Sequence, residues 1–461
     1  MDLKEKSYFC LNDYDCIGVD MDHTVIQYHL PEVFKLIYRA LVDFLVTERN
    51  YDENILHVDN FTKHEDFSLR GLVFDHHKGN FLKIDMNGYV LSCSHGMKQL
   101  SDEEIIKEYG ANRKWPLFNV LKEKVYHGEG YSIMENFFLM PAASIVGQLI
   151  EDTDKKSKED SVTYEHIWQD IISALSLNFQ AASFDNDKGM FFPSLKNNIS
   201  KYVKKCPPSI LSWIKMLRDQ GKVVALITDS SQNFASLLMN YAFGEDWKEL
   251  FDFVVAYANK PNFFYESTKD RSFHTITKPG EISLTTVDDI QPHTIYNRGN
   301  SHTFEEVVKR RLGKDCVKVV YFGDSMKSDI FPPCVYAKWD TVAVLEELEA
   351  EEVHFHKNNA QPSDCKKPKL TPLLKEEKIL VASSRWGSFF THPRSKEQVH
   401  AKHHPLNTFW GDLIRKYSKI AIPLLDYIAE LPINHKFLSF SSDQLGFYPS
   451  APRSIDEDEC T

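Results

Sequence analysis

Long apolar runs are missing from this chain. No stretch approaches the roughly 20 consecutive apolar residues that cross a bilayer, because Asp or Lys interrupts each candidate, as Asp43 does after Pro31. The first residues, Met-Asp-Leu-Lys-Glu-Lys, lack the apolar centre and small-residue cleavage site of a secretory leader. The expectation is a cytoplasmic protein without a membrane partner. Positive charge is in deficit too: 54 Lys plus Arg stand against 66 Asp plus Glu, a formal charge of −12. That argues against a chain-wide polyanion footprint, and so against DNA or RNA as partners. No C-x-x-C pair exists among the eight scattered cysteines (Cys10, Cys16, Cys93, Cys206, Cys316, Cys334, Cys365, Cys460), so zinc and dithiol chemistry lack support and reduced thiols are expected. What remains is 461 residues of ordinary globular composition, 42% hydrophobic and 26% charged, enough for about two to four domains.

The apolar run Cys16-Ile17-Gly18-Val19 ends in Asp20, a buried strand delivering an acid to its carboxyl end. Pro31 opens a helical pattern with Phe34, Ile37, Leu41 and Phe44 on one face. Farther on, Ile210, Ile214 and Leu217 form a helical stripe, Gly221 suits its end, and Val223 to Ile227 follow as a strand ending at Thr228. Phe234, Leu237, Leu238 and Tyr241 predict another helix, and Phe253 to Ala256 another strand. Thr303-x-x-Glu306 gives a capping box before Val307, Val308 and Leu312, with Gly313 as the stop. Val317 to Phe322 reads as a strand reaching Gly323-Asp324, and Thr341 to Leu345 as one more. Strands alternating with helices predict an α/β fold, a Rossmann-like, mostly parallel sheet with helices on both faces, whose carboxyl edge gathers the polar strand ends.

About 200 residues separate the first strand from the second such unit, too many for a crossover. Residues 1–48 and 200–350 are therefore expected to form a split core, and 49–199 an inserted cap domain. Residues 351–380 read as a flexible linker, and the charged run Asp152 to Asp160 as poorly ordered. Residues 381–461 regain aromatics and an apolar stretch from Ile420 to Leu431, and are expected to pack back on the core.

Asp20-Met21-Asp22-His23-Thr24 places two carboxylates one residue apart, which extended backbone points the same way. They repel, and the arrangement makes sense if a cation neutralises them, or if one is a nucleophile while the other exchanges a proton. An Asp-rich loop capping the next helix is the plainer alternative. Other strand ends weigh against it. Thr228 brings a hydroxyl and free N–H groups to a helix start, suited to a phosphate oxygen. Lys260, in Ala258-Asn259-Lys260-Pro261, balances negative charge, and Gly323-Asp324-Ser325-x-x-Ser328-Asp329 adds two carboxylates suited to Mg2+. Several residues read blandly: the His76-His77 side chains diverge, His23 points away from the acids beside it, His400 with His403-His404 is solvated surface, and Phe191-Phe192, Phe263-Phe264 and Phe389-Phe390 are mostly packing.

With Asp20, Asp22 and Thr24, then Thr228, Lys260, Asp324 and Asp329 in that order, the chain resembles the haloacid dehalogenase superfamily, and within it the cytosolic 5′-nucleotidase group. Arg70-Gly71-Leu72-Val73-Phe74-Asp75, Gly79-Asn80-x-Leu82-Lys83 and Ser94-His95-Gly96 are similar to that group's own wording. The resemblance implies a Mg2+-dependent phosphohydrolase, a 5′-nucleotidase whose partner is a small phosphate monoester such as a nucleoside monophosphate. Asp20 would attack phosphorus to give an aspartyl-phosphate; Asp22 would protonate the leaving oxygen and then take a proton from water. Mg2+ would be held by the Asp20 carboxylate, the Asp22 backbone carbonyl and Asp324, while Thr228 and Lys260 would hold phosphate oxygens. Asp329 would orient the metal shell or Lys260.

One departure bears on this. Relatives with established activity commonly carry Asn after the second-motif threonine, whereas this chain has Asp229. A carboxylate there repels phosphate unless it is turned away or protonated. A nucleotide- or protein-binding member with little turnover is the competing reading. Neither the base-recognising positions nor the oligomeric state is legible.

Overall fold

A computed structural model of the chain describes residues 7–124, 128–157, 163–278, 281–285, 290–351, 375–393, 405–441 and 446–449. Most of the expected 351–380 linker lies outside the described residues, as do His400, His403 and His404. The chain divides into two compact units, one within 1–28, 203–372 and 413–461, the other within 29–202 and 373–412. Among the described residues no helix is long and apolar enough to cross a membrane, and six cysteines are free.

The first unit is built on a nine-stranded sheet. Its strands run, from one edge, Glu281–Thr285, Phe273–Lys278, Ile295–Arg298, Phe253–Ala256, Val223–Ile227, Cys16–Val19, Val319–Gly323, Asp340–Val344 and Ile420–Ile422. The seven from Ile295–Arg298 to Ile420–Ile422 pair in parallel; the first two are an antiparallel extension. Central strands are buried on both faces, which is why they read as unbroken apolar runs. On one face Val223, Ala225, Ile227, Val255 and Tyr321 pack with Phe304, Val307 and Val308 of the Ser301–Leu312 helix. On the other, Trp213 of the Pro208–Asp219 helix meets Phe322 edge-on, with ring centroids 6.1 Å apart. Helices therefore cover both faces of a mostly parallel sheet, as the strand–helix alternation predicts.

Several local expectations change. The Ser301–Leu312 helix is capped by Asn300, whose Oδ1 accepts the Thr303 N–H at 2.8 Å, so Thr303 lies inside the first turn rather than before it. The apolar stretch at Ile420 adds an edge strand to the core sheet. The antiparallel extension was not foreseen, because Phe273-His274-Thr275 alternates too weakly to announce a strand.

The second unit holds a five-stranded antiparallel sheet, in the order Lys98–Gln99, Val90–His95, Asn80–Ile84, Val73–Asp75, Tyr131–Ile133. The Leu30–Arg49 helix, expected in the core, groups here instead, packed by the Met140–Lys156 and Glu165–Phe179 helices. Its buried face is broad, taking in Val33, Phe34, Leu36, Ile37, Tyr38, Leu41 and Val42, while Arg39 and Asp43 mark a narrow exposed stripe. Residues 381–412, expected on the core, also belong here. Trp386 Nε1 donates to Phe67 O at 2.6 Å, buried Lys83 donates to Trp386 O at 2.8 Å, and Trp410 Nε1 donates to Gly71 O at 2.7 Å. A Cβ at Gly71 would fall 2.2 Å from the Trp410 indole, so glycine permits that approach. Residues 152–156 of the charged run are helical, with Lys156 paired to Asp152 at 2.6 Å one turn away; 158–160 lie outside the described residues. Residues 375–380 are likewise helical, within Lys375–Val381.

Candidate active site

The strand Cys16–Val19 sits between Val223–Ile227 and Val319–Gly323, so its carboxyl end is flanked by theirs. Asp20 N–H still donates to Phe322 O at 2.8 Å, which fixes the acid at the sheet edge, and its side chain is buried. Lys260, four residues past the end of Phe253–Ala256, crosses back to it: its ammonium lies 2.7 Å from Asp20 Oδ1 and 2.5 Å from Asp329 Oδ1. The same nitrogen is 3.1 Å from Tyr321 Oη and 3.3 Å from Ile227 O, while the Tyr321 hydroxyl donates to Ile227 O at 2.7 Å. Asp20, Asp324 and Asp329 each place a carboxylate oxygen within 4.8 Å of the others, all buried.

Burial pushes the Asp20 carboxyl well above the usual carboxylate range; Lys260 opposes this, and Asp329, Asp22 and Asp324 add to it. For Lys260, burial favours the neutral amine, but Asp20 and Asp329 outweigh it and hold the ammonium well above its ordinary value. The cluster thus has three carboxylates and one fixed cation. It is short of positive charge, and its donors are all oxygens, which suits a hard divalent cation. Asp329 spends both oxygens on protein, Oδ1 on Lys260 and Oδ2 on the Ser325 N–H at 3.1 Å. Asp20 and Asp324 supply the other two carboxylates of the set. A π-type turn, Met326–Ile330, turns Asp329 inward, with Ser325 Oγ accepting the Ser328 N–H at 3.2 Å.

Asp22 is held by two hydroxyls. Tyr28 donates to its Oδ1 at 2.5 Å and Ser230 to its Oδ2 at 2.8 Å. Burial, then the Asp22 charge, raises the Tyr28 phenol well above its ordinary value, so it stays a donor. His23 sits at φ 54°, with Nδ1 3.4 Å from Glu346 Oε1 and its ring 4.9 Å from that of Tyr28. Thr228 is buried, with Oγ1 accepting the Ser230 N–H at 3.1 Å. The following helix starts only at Gln232, capped by Ser231, so Thr228 precedes the helix rather than opening it. Asp229 is open to solvent, and its Oδ1 accepts the Lys260 backbone N–H at 2.7 Å. Although the residue as a whole is exposed, desolvation of its inward-turned carboxyl raises it to about 6, against the pull of Lys260.

One edge of the sheet thus brings together all the expected residues, Asp20, Asp22, Thr228, Lys260, Asp324 and Asp329. A model of the 5′-nucleotidase family matches residues 7–420. The chain belongs to the 5′-nucleotidase family. Within that family, 5′-nucleotidase domain-containing protein 1 of Bos taurus is 36% identical over 449 residues, covering 96% of this chain and 97% of the relative. The Homo sapiens protein of the same name is 34% identical over 456 residues, covering 98% of both. Homo sapiens 5′-nucleotidase domain-containing protein 2 is 28% identical over 349 residues, 74% of this chain and 62% of that one. For this 5′-nucleotidase family member, Tyr28, Ser230 and Tyr321 join the site without having been expected there. Only Tyr321 left a trace: Gly18 interrupts a buried strand directly opposite it, and a Cβ there would fall 2.6 Å from the Tyr321 ring.

Proposed function

We propose that the chain is a Mg2+-dependent phosphohydrolase that cleaves a phosphate monoester, a 5′-nucleotide, through an aspartyl-phosphate on Asp20. The observation that carries this is the buried set of Asp20, Asp324 and Asp329 around the single ammonium of Lys260. The Asp20 and Asp324 carboxylates and the Asp22 backbone carbonyl would hold Mg2+, which supplies positive charge where two anions must meet. Asp20, fixed at its strand end, is the nucleophile: its oxygen forms the new P–O bond as the ester oxygen leaves. Asp22, oriented by Tyr28 and Ser230, gives that oxygen its proton and then takes one from the water that attacks the acyl phosphate, returning Asp20 as a carboxylate. Lys260 and Thr228 hold phosphate oxygens. Asp329 keeps Lys260 aimed at the site. Asp229 does not contradict this, because its side chain is turned to the Lys260 N–H.

The test is phosphate release from a panel of nucleoside monophosphates and small phosphoesters, with Mg2+ and with EDTA, beside Asp20→Asn. Release that needs Mg2+ and disappears in the variant is expected. Release that survives Asp20→Asn defeats the covalent route. Nucleotide binding without release from any substrate would favour a binding protein.

A further inference from the structure

Beyond Lys260 the same edge carries a second cationic group that the reaction above does not use. Arg298 ends the Ile295–Arg298 strand, which pairs with Phe253–Ala256, so it lies level with Tyr257. Arg271 precedes Phe273–Lys278, which pairs with Ile295–Arg298 and brings it to the same edge. The Arg271 guanidinium donates through Nη2 to Ala258 O, and its backbone carbonyl accepts from Asn300 Nδ2 at 2.9 Å. Its Nε and Nη1 are buried and find no acceptor among the described residues. Arg298 is exposed, lies over the Tyr257 ring at 5.9 Å, and has no ion pair among the described residues. Tyr257 is 45% exposed.

Two guanidiniums close together are costly unless something negative joins them. Elsewhere in this unit the chain supplies that group: buried Asp252 lies 3.2 Å from Arg218 and 2.5 Å from Arg311. Among the described residues no carboxylate bridges Arg271 and Arg298. Asp229 comes within electrostatic range of Arg271, but its hydrogen bond goes to Lys260. The backbone is strained at this place, with φ of 47° at Tyr257, 58° at Asn259 and 62° at Arg298, a conformation that non-glycine residues hold only when the surroundings impose it. His274, beside Arg298's strand, registers the same field: burial and then both arginines lower its imidazole.

We propose that Arg271, Arg298 and Tyr257 form a second anion subsite, and that the molecule bound beside Lys260 carries a second phosphate. This rests on the reading of Asp20 and Lys260 as the phosphate site. Arginine suits the role because its fork matches two phosphate oxygens. The Arg298 strand is third from that of Asp20 in the sheet. Because Arg298 leans over Tyr257, its charge lies about two strand spacings away, roughly 10 Å. That is the span between two phosphates on one small molecule, and too long for two oxygens of one phosphate. The exposed Tyr257 ring offers a stacking face, which favours a nucleoside bisphosphate over a sugar bisphosphate.

The test is calorimetric titration of Asp20→Asn protein with adenosine 3′,5′-bisphosphate against AMP, and with fructose 1,6-bisphosphate against fructose 6-phosphate. At least tenfold tighter binding of a bisphosphate than its monophosphate is expected, larger in the adenosine pair. Arg298→Ala should bring the ratio near one, and Arg298→Lys should restore part of it. Wild-type protein in EDTA gives the same reading should Asp20→Asn fold poorly. Equal affinities, no binding of either ligand, or a preference that survives Arg298→Ala would overturn the subsite. Phosphate release by wild type is scored separately: release without a bisphosphate preference sinks only the subsite, and a preference without release sinks only the hydrolase.

Discussion

The Lys260 ammonium lies closer to Asp329 Oδ1, at 2.5 Å, than to Asp20 Oδ1, at 2.7 Å. Asp329 therefore shares the one cation in the cluster with Asp20 and fixes the ammonium between the two carboxylates. Asp329→Asn retains the shape and removes the charge. Lys260 should then be held from one side only, and kcat/KM for a phosphate monoester should fall about 10–100-fold, the usual cost of losing such a supporting partner. Asp329→Ala leaves Lys260 buried with one fewer counter-ion and should also cost about 3–5 kcal/mol of stability in urea unfolding. Wild-type turnover in the Asn variant would mean that Asp329 does not position Lys260.

Gly323 ends the strand beside Asp329, and a Cβ there would lie 2.3 Å from the Asp329 Cβ. No rearrangement of a flexible tip relieves that clash. Gly323→Ala should push Asp329 away from Lys260, copy the activity loss of Asp329→Asn, and lower stability by about 1–3 kcal/mol, the cost of overpacking. Activity assay and thermal melt on the same preparation check both. A stable protein with full activity would show that the site absorbs the shift.

How much of this site can be read from the chain depends on how each residue is delivered. Asp20, Thr228 and Asp324 directly follow or adjoin buried parallel strands, whose unbroken apolar runs mark the spot in sequence. Lys260 is legible less directly, since it reaches the site from a loop. Tyr28 and Ser230 are illegible because what matters is a hydroxyl crossing to Asp22 in space, and neither stands in a periodic pattern. Unit boundaries suffer from the same limit. The Leu30–Arg49 helix shows its apolar face in sequence but not what covers it, and the Met140–Lys156 and Glu165–Phe179 helices that do so decide where it groups. Arg271 and Arg298 meet only through antiparallel strands too weakly alternating to be foreseen.

Asp229 gives a prediction that separates charge from shape. Asparagine at this position can accept the Lys260 N–H as Oδ1 of Asp229 does, but carries no charge. Asp229→Asn should therefore lower KM for a phosphate monoester severalfold near pH 7.5, with little change in kcat. The stability effect has a sign. A carboxyl raised to about 6 in the folded state, from a usual value near 4, binds protons more readily folded than unfolded. Its contribution is full below pH 4 and is lost as pH rises through 6. Unfolding free energy of Asp229→Asn relative to wild type should accordingly improve between pH 4 and 6 and stay level above. A constant difference across that window would exclude the shift.

His76, in the second unit and away from the proposed chemistry, sets a separate pH dependence. Burial, with His77 adding, lowers its imidazole to about 4, and its Nε2 lies 2.9 Å from Ser132 Oγ. The folded state holds it neutral, whereas the unfolded chain protonates it near its ordinary 6.5. The sign follows from proton counts: the unfolded state binds more protons below pH 6.5, so stability is full above that pH and falls as pH drops toward 4. A depression of this size is worth about 3 kcal/mol. His76→Gln keeps a polar group near Ser132 and cannot titrate, so its unfolding free energy should decline less between pH 6.5 and 4. His392, also lowered to about 4 by burial, leaves a residual slope in the same direction. Urea titrations at four pH values across that window measure both. Parallel curves for wild type and His76→Gln would show that the imidazole is not held neutral.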